Sequence, residues 1–527
     1  TRSSAASDVY KRQYLSMIVF ANDNDLHLLY ACGCYPRVRA LFARHLIAAN
    51  LRQALHKKKR TIATLLAPML TIMAHNASAG SSRYELTQLI KLALPLVAAQ
   101  LAQMGMGVVD TIMAGRVGAL ELAGVALGGA VLWPTLMLVS GVVMATTPMI
   151  AQLNGAGKIT EVGEVTRQGL WIALVLGSLL ALALQNAGLV YRGLGIEADI
   201  VSVTTGYLDA VSWGVVPVLG YFALRYLCEG LSWTKPAMLI AGGGLLLKIP
   251  LNYWFVFGGW GIEPMGAEGC GWATALIMLL EFLAMATVVQ FSRIRKVGLL
   301  QCFSRPDTAQ IRTLFKLGLP IGMATFVEFG FFSVVTLLIG RLGPETVAAH
   351  QIINNLSGLV FMVPLGLGMA TSIRVGFNVG AGDLVAARKT GWLAMATSAG
   401  FAVFSIIILL ILGDMLISLY TEQQQVVGIA TSLLGIVACF LIFDGVQVNA
   451  MGALRGFKDT AVPFFFAFGC YWLFGFPVAW ALGFGFFTDW DFGIHGYWLG
   501  LALGLVAASI VLALRFHKIS LAAVRPA

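Results

Sequence analysis

Residues 92–115 read LALPLVAAQLAQMGMGVVDTIMAG, a long apolar run that is interrupted early by Pro95 and contains one carboxylate, Asp110. The run is too long for an ordinary core helix and matches the ~20 residues that a helix needs to cross a bilayer. A carboxylate inside such a segment is costly, so it normally faces a protein interior or a water-filled cavity. The stretch therefore predicts a transmembrane helix.

The same pattern returns later in the chain, as KLGLPIGMATFVEFGFFSVVTLLIG at residues 316–340, with Glu328 as its carboxylate. Pro95 and Pro320 lie 225 positions apart. The same offset, without a gap, aligns Gly115-Arg116 with Gly340-Arg341, Met144-Ala145-Thr146 with Met369-Ala370-Thr371, and Gly155-Ala156-Gly157 with Gly380-Ala381-Gly382. This repetition indicates a duplicated membrane protein.

The composition excludes several other classes of protein. Of the 527 residues, 58% are hydrophobic and only 11% are charged, which is far from the composition of a soluble globular protein. A net charge of +10 usually lies in the cytoplasmic loops of a membrane protein, so we expect no binding to nucleic acid. The seven cysteines have no spacing typical of zinc sites, and we expect no cofactor. Gly155-Ala156-Gly157-Lys158 lacks the spacing of a phosphate-binding loop and predicts a turn that ends a helix.

The predicted fold is an all-α integral membrane protein with twelve transmembrane helices. Helices are expected because every backbone group in lipid must be bonded within its own segment. Six spans in each half return the chain to the same side, so the two six-helix lobes are predicted to be parallel repeats, rocking against each other to give alternating access. The predicted spans are 87–113, 120–147, 166–187, 200–227, 236–258, 268–290, 313–339, 346–374, 391–412, 427–451, 461–486 and 494–515.

The charges of the connectors predict the orientation, and the spans predict the domains. One alternate set of connectors is basic and is expected to be cytoplasmic, which places both termini inside. Residues 1–72 differ from the rest and precede Met73, a suitable start, so we expect a non-native or disordered extension. The other predicted units are an N-lobe at 73–291, a cytoplasmic connector at 292–312, a C-lobe at 313–516 and a cytoplasmic tail at 517–527.

Several segments resemble the NorM branch of the multidrug and toxic compound extrusion (MATE) transporters. They are VDTIMAGRVG (109–118), CEGLSWTKP (228–236), KIPLNYWFVFGGWG (248–261), GCGWATAL (269–276) and AAHQIINNL (348–356). The resemblance runs from about Leu86 to Leu514 and leaves residues 1–72 without a counterpart. It implies a monomeric exporter in the bacterial inner membrane, acting on hydrophobic cationic or zwitterionic drugs and dyes in exchange for inward H⁺ or Na⁺. It does not imply an enzyme.

Carboxylates inside the spans are the first candidates for the coupling and substrate site. Asp110 is predicted to exchange a proton for a cationic drug; the alternative is an acid at a helix end that pairs with Arg116. Glu328 lies near the middle of the seventh span, and Asp444 lies in the tenth. The resemblance matches these two to an acidic pair associated with cation binding, and oxygen ligands suit Na⁺ as well as H⁺.

Further candidates surround these acids. Phe326 and Phe329 flank Glu328, and aromatic rings can hold a cation by their faces. Gln103 is the repeat counterpart of Glu328, so the lobes are not chemically equivalent. The other candidates lie in spans four to six: Asn252, which matches a polar position of the resemblance, Asp209, which could join it, and Lys248 and Glu281 at similar depth, which predict either an ion pair or a role in coupling.

Two other functions stay open at this point. A flippase for lipid-linked sugars would be expected to line its cavity with several basic residues for a diphosphate, whereas carboxylates dominate here. A membrane-embedded enzyme would need a nucleophile and base or a metal site, and His350 and His495 are isolated in the sequence. The residue types do not choose between H⁺ and Na⁺ as the coupling ion.

Overall fold

The part of the chain described by the computed structural model comprises residues 79–193, 195–259, 261, 263–299, 303–484 and 492–524. The prediction for residues 1–72 lies outside this part. Within it the chain is helical, with no β-strand, and twelve helices are long and apolar enough to cross a membrane. The predicted all-α membrane fold with twelve spans is therefore confirmed.

The twelve membrane helices are numbered α1 to α12 in chain order. They are α1 Ser82–Val117, α2 Ala119–Gly155, α3 Ile159–Gln185, α4 Ala198–Gly230, α5 Lys235–Phe257, α6 Gly266–Phe291, α7 Thr308–Leu342, α8 Pro344–Gly380, α9 Leu384–Ser418, α10 Gln424–Gly456, α11 Ala461–Gly483 and α12 Gly493–Val524.

Most of these helices run further than the apolar pattern predicted. α2 continues to Gly155 and α8 to Gly380, because the backbone can stay helical where the side chains become polar. Both helices end at the repeated Gly-Ala-Gly segment. Gly157 and Gly382 have φ values of +72° and +77°, in the left-handed region that favours glycine at a helix end. The predicted helix-ending turn is thus present in both halves.

Each half packs around one central helix. In the first half α4 packs against α2, α3 and α6, and in the second half α10 packs against α8, α9 and α12. These neighbours are equivalent under the sequence repeat, since α10 is the counterpart of α4. The two six-helix lobes therefore share one arrangement, as predicted for parallel repeats.

The lobes meet along an interlobe seam formed by α1 and α2 with α7 and α8. A Cβ at Gly155 would collide with the main-chain carbonyl of Phe377, and a Cβ at Gly380 would collide with that of Gln152. Gln152 and Phe377 lie 225 positions apart, as do the two glycines. Each lobe therefore makes the same contact with the other, which is what a pseudo-twofold axis requires.

A second pair of contacts in the seam follows the same rule. A Cβ at Gly141 would collide with the backbone of Gly322, and a Cβ at Gly366 would collide with Val97. Gly141 and Gly366 lie 225 positions apart, as do Val97 and Gly322, so the two contacts are equivalent under the repeat. Small residues here let the helix backbones approach closely, which is the usual basis of helix packing inside membranes.

A polar cluster closes the seam beside the ends of α2 and α8. The Arg374 guanidinium donates to both oxygens of Glu85, from Nη2 at 2.7 Å and from Nε at 2.8 Å. Thr390 Oγ1 and Asn378 Nδ2 donate to the same carboxylate at 2.9 and 3.3 Å. α1 is thereby tied to α8 and α9, and the conformer described is closed at this end.

Candidate functional site

Asp110 belongs to a buried cluster of four side chains in the first lobe. Lys248 Nζ lies 2.9 Å from Asp110 Oδ2 and donates to Thr274 Oγ1 at 2.5 Å. Asn252 Nδ2 donates to Asp110 Oδ1 at 2.7 Å. Asp110 is 4% exposed and Lys248 is 1% exposed. We call Asp110, Lys248, Asn252 and Thr274 the first-lobe cluster.

The predicted ion pair between Lys248 and Glu281 is wrong. The ammonium of Lys248 pairs with Asp110 instead, and Glu281 Oε1 is buried without a hydrogen-bond partner. Thr274 and Glu281 lie seven residues apart on α6, which is about two helical turns, so both face α5. The sequence indicates that Thr274 and Glu281 share a face of α6. It does not indicate whether the Lys248 side chain reaches the level of Thr274 or the level of Glu281.

The structure also decides two other arrangements proposed for the first lobe. Asp110 does not pair with Arg116, which is exposed at the end of α1. Asn252 lies beside Asp110, whereas Asp209 is exposed on α4 and does not join them. The suggestion that Asp209 completes a site with Asn252 is therefore wrong, because the two residues face different surroundings.

The second lobe holds Glu328 on α7 and Asp444 on α10. Tyr471 Oη of α11 donates to Glu328 Oε1 at 3.5 Å. The rings of Phe332 on α7 and Phe440 on α10, each four residues from one of the two acids, pack with centroids 5.8 Å apart. In the described part of the chain, neither acid has a basic side chain within ion-pair distance. We call Glu328 and Asp444 the second-lobe pair.

A π-helical segment in α11 places Tyr471 beside this pair. Between Gly469 and Gly475 the helix has π geometry, which is rare and often occurs at functional sites. Tyr471 stacks on Phe331 with ring centroids 5.7 Å apart, and Trp472 Nε1 donates to the Val327 carbonyl at 3.1 Å. Two consecutive side chains of the π segment therefore contact α7 around Glu328.

The flanking candidates of Glu328 lie elsewhere on α7. Phe326 and Phe329 are 39% and 51% exposed, while Phe331 is buried against Tyr471. On a helix, residues three apart share a face, so Phe331 is the neighbour of Glu328 and the other two are not. Gln103, the counterpart of Glu328, is half-buried on α1.

Sequence reasoning missed several members of these sites. Thr274 lies in the GCGWATAL segment but was not selected as a site residue, because hydroxyl residues are common in apolar spans. Nothing in the sequence distinguishes Tyr471 from an aromatic residue at the membrane interface, although its ring is buried. Arg225 and Glu229 also went unnoticed: their side chains form a buried ion pair at 2.6 Å, four residues apart on α4. Two opposite charges at that spacing inside an apolar helix would have been sufficient to find them.

The two lobes thus offer different chemistry. The first-lobe cluster neutralises its carboxylate with its own ammonium. The second-lobe pair has two carboxylates. Arg455, whose positive charge acts on Glu328, donates to the sulfur atoms of Met144 and Met451 at 3.6 and 3.8 Å. Two neighbouring carboxylates disfavour double ionisation, so the second-lobe pair is suited to take up a cation or a proton.

Comparison with known families identifies the architecture. The family model described as MatE matches residues 95–254 and matches again at residues 320–481. The chain belongs to the MatE family. The two MatE matches begin 225 positions apart, at the offset that relates the two halves of the sequence. The family resemblance and the internal duplication of this MatE chain are both confirmed.

Curated relatives of this MatE chain include three bacterial proteins. The multidrug resistance protein NorM of Aliivibrio fischeri is 40% identical over 435 residues, which is 82% of this chain and 94% of that protein. The multidrug resistance protein PmpM of Pseudomonas aeruginosa is 41% identical, covering 83% and 92%. The multidrug resistance protein MdtK of Yersinia pseudotuberculosis is 40% identical, covering 82% and 95%.

Solved structures of MATE transporters share the fold. The eukaryotic transporter AtDTX14 has a TM-score of 0.75 at 21% identity and is covered to 98%, against 84% of this chain. The bent form of VcmN from Vibrio cholerae has a TM-score of 0.75 at 18% identity, covering 99% of that chain and 84% of this one. The family match and the named bacterial relatives, together with the twelve apolar helices, show that the MatE chain is a multi-pass membrane transporter and not an enzyme.

Proposed function

We propose that this protein is a secondary active antiporter that exports organic cations and drugs in exchange for inward H⁺ or Na⁺. Family membership and the names of the bacterial relatives support multidrug efflux across the inner membrane. The expected cargo is a hydrophobic cationic or zwitterionic drug or dye. The expected unit is a monomer without a cofactor.

The observation that carries the proposal is the second-lobe pair. Glu328 and Asp444 lie on helices that pack together through Phe332 and Phe440, and Tyr471 Oη donates a hydrogen bond to Glu328. A cation, either an inorganic ion or a drug, relieves the repulsion between two carboxylates. Competition of the coupling ion and the drug for these oxygens links inward ion movement to outward drug movement.

The interlobe seam supports alternating access. The seam contacts run from the middle of α1 and α7, at Val97 and Gly322, to the ends of α2 and α8, at Gly155 and Gly380. Beyond the seam α1 carries Asp110 and α7 carries Glu328. Since basic residues such as Lys158 and Arg305 lie at the closed end, we assign this end to the cytoplasm. Rocking of the lobes about the pseudo-twofold axis would open the seam and close the opposite end.

The first-lobe cluster favours efflux over the flippase alternative. A flippase for lipid-linked sugars needs free cations to meet a diphosphate. Lys248, a basic residue inside the spans, is bonded to Asp110 and Thr274. Asp110 neutralises this ammonium, so Lys248 alone does not supply the several free cations that a diphosphate needs, and we do not assign the protein to lipid export.

Transport by the purified protein in lipid vesicles tests the proposal. Efflux of an ethidium-like cation is measured with a pH gradient and a Na⁺ gradient imposed separately. We expect acceleration by at least one gradient, and we favour the pH gradient because hydrogen-bonded carboxylates can bind a proton. Efflux that responds to neither gradient, at matched protein amount, would contradict the antiport mechanism.

A further inference from the structure

Glu281 is a buried carboxylate without an assigned task. Its residue is 6% exposed, and Oε1 has no hydrogen-bond partner. The side chain lies against α5, since a Cβ at Gly244 would lie 3.0 Å from Glu281 Oε1. Gly244 precedes Lys248 by one helical turn. An unpartnered carboxylate at this depth is costly, so a compensating cation or proton is expected at some stage of the cycle.

The charges around Glu281 leave one negative charge in excess. Arg225 and Lys248 are the cations that act on Glu281. Arg225 is already committed, because its Nε donates to Glu229 Oε1 at 2.6 Å and its Nη2 to Gln100 Oε1 at 3.2 Å. Two cations therefore face three carboxylates: Asp110, Glu229 and Glu281. Lys248 is the cation that acts on both Asp110 and Glu281.

Along the axis of α5, the backbone of Lys248 lies between the level of Asp110 and the level of Glu281. Asn252, one turn beyond Lys248 on α5, bonds to Asp110, and Gly244, one turn before it, contacts Glu281. The two levels on α6, marked by Thr274 and Glu281, are about 10 Å apart at 1.5 Å of rise per residue. A flexible four-carbon side chain that starts midway can reach either level.

We propose that Glu281 is a second binding site for the Lys248 ammonium, occupied when a proton or a small monovalent cation binds at Asp110. The incoming positive charge replaces the ammonium at Asp110, and the ammonium moves to Glu281. The cluster then changes from one excess negative charge to neutral, and Lys248 keeps its proton throughout. Only the role of this movement in transport rests on the proposed function.

Other titratable groups face Asp110 and Glu281 and contribute to the net charge around them. Tyr207 and Cys270 interact electrostatically with Asp110, and Tyr221 and Arg225 interact with Glu281. Glu121 acts on Cys270, and Glu229 acts on Tyr221. Glu229 is held by Arg225, and the hydroxyl and thiol groups are neutral when protonated. Asp110 and Glu281 are thus the two carboxylates between which the ammonium moves.

A cycle of stability measurements on the full-length protein in detergent tests the proposal. The variants are Asp110→Asn, Glu281→Gln, the double variant, and the triple variant that adds Lys248→Met. After either single change, the Lys248 ammonium still has one carboxylate with which it can pair. Asp110→Asn and Glu281→Gln should therefore each cause only a small decrease in Tm. The double change leaves it buried without a carboxylate, so the loss of Tm should exceed the sum of the single losses, and the triple variant should recover it.

The control is Glu268→Gln, an exposed acid on the same helix. Combined with Asp110→Asn it should give only the sum of the two effects. Additive losses in the double variant of Asp110 and Glu281, or no recovery in the triple variant, would overturn the proposal. These results do not depend on efflux, so a failure of the proposed antiport would be recognised separately.

An experimental structure of the Asp110→Asn variant gives a second, direct test. Asparagine there imitates a carboxylate that has taken up a proton. Lys248 Nζ should then lie within hydrogen-bond distance of Glu281. A Lys248 that remains on Thr274 with Glu281 still unpartnered would contradict the movement, even if the double variant cannot be produced.

Discussion

At the scale of single residues, the second-lobe pair combines close charges with few hydrogen bonds. Glu328 receives one long hydrogen bond from Tyr471, and Arg455 is the cation that acts on it without forming an ion pair within 4 Å. Asp444 is buried on α10 and interacts with Glu328. Removing either carboxylate therefore removes the mutual repulsion that makes the site take up a cation.

Glu328→Gln and Asp444→Asn should reach the membrane yet lose ion-driven efflux, to the rate measured without a gradient. The double variant should be no worse than either single variant, because residues that act as one unit are not additive. Efflux of an ethidium-like cation from vesicles is measured at matched protein amount. Glu422→Gln, an exposed acid between α9 and α10, is the control. Wild-type rates in both single variants would end the carboxylate mechanism.

At the scale of helices, the π segment of α11 supports the site by close packing. Its last residue, Gly475, has little room, since a Cβ there would lie 3.0 Å from Gly504 Cα and 3.1 Å from Phe331 Cζ. Its first residue, Gly469, has nothing within 4 Å of the same position. The segment is therefore packed against α7 and α12 at one end and open at the other.

Gly475→Ala should lower Tm, because the added methyl group must push apart α11, α12 and the Phe331 ring. Overpacking of this kind costs about 1–3 kcal/mol. Gly469→Ala is the matched control: it adds the same group in the same segment and should leave Tm unchanged or slightly higher. Thermal unfolding of both variants in detergent gives the measurement, and equal losses would show that the packing of Gly475 is not the cause.

The helices could be predicted from the sequence, whereas many of the contacts could not. Apolar runs of spanning length are sufficient to place twelve helices, because lipid excludes other backbone structures. The repeat placed Glu328 opposite an uncharged Gln103. Rotation about each helix axis and the reach of a long side chain are not encoded in the apolar pattern, so the partner of Lys248 and the exposure of Asp209 were predicted wrongly.

At the scale of the whole molecule, the polar cluster of Glu85 holds the seam closed at one end. The carboxylate accepts hydrogen bonds from Arg374, Asn378 and Thr390, which lie on two helices of the other lobe. Opening of the seam must break these bonds. The conformer that is open at this end therefore has to compensate for the loss of several charge-assisted hydrogen bonds, each worth about 1.5–3 kcal/mol.

Glu85→Gln should loosen the seam, because the neutral amide binds the guanidinium of Arg374 less strongly. The measurement is the rate at which a thiol reagent modifies Ala151→Cys, a fully buried seam position, compared with the same protein without that cysteine. We expect faster modification with Glu85→Gln. Glu161→Gln is the control, since its pair with Lys158 lies in the same region but is exposed. Equal rates in Glu85→Gln and in the unaltered protein would mean that the cluster does not hold the seam.

The reciprocal contacts of the seam have a consequence for the divergence of the two halves. In a homodimer the interface is isologous, so each substitution occurs twice and changes both subunits together. Here the same patch is encoded twice in one chain, as with Gly155 and Gly380. A substitution in one copy leaves the other unchanged, so the halves can keep a symmetric junction while one has Gln103 and the other Glu328 at the equivalent position. A gene that encoded only one half, as in a homodimer, could not combine a symmetric junction with two chemically different halves.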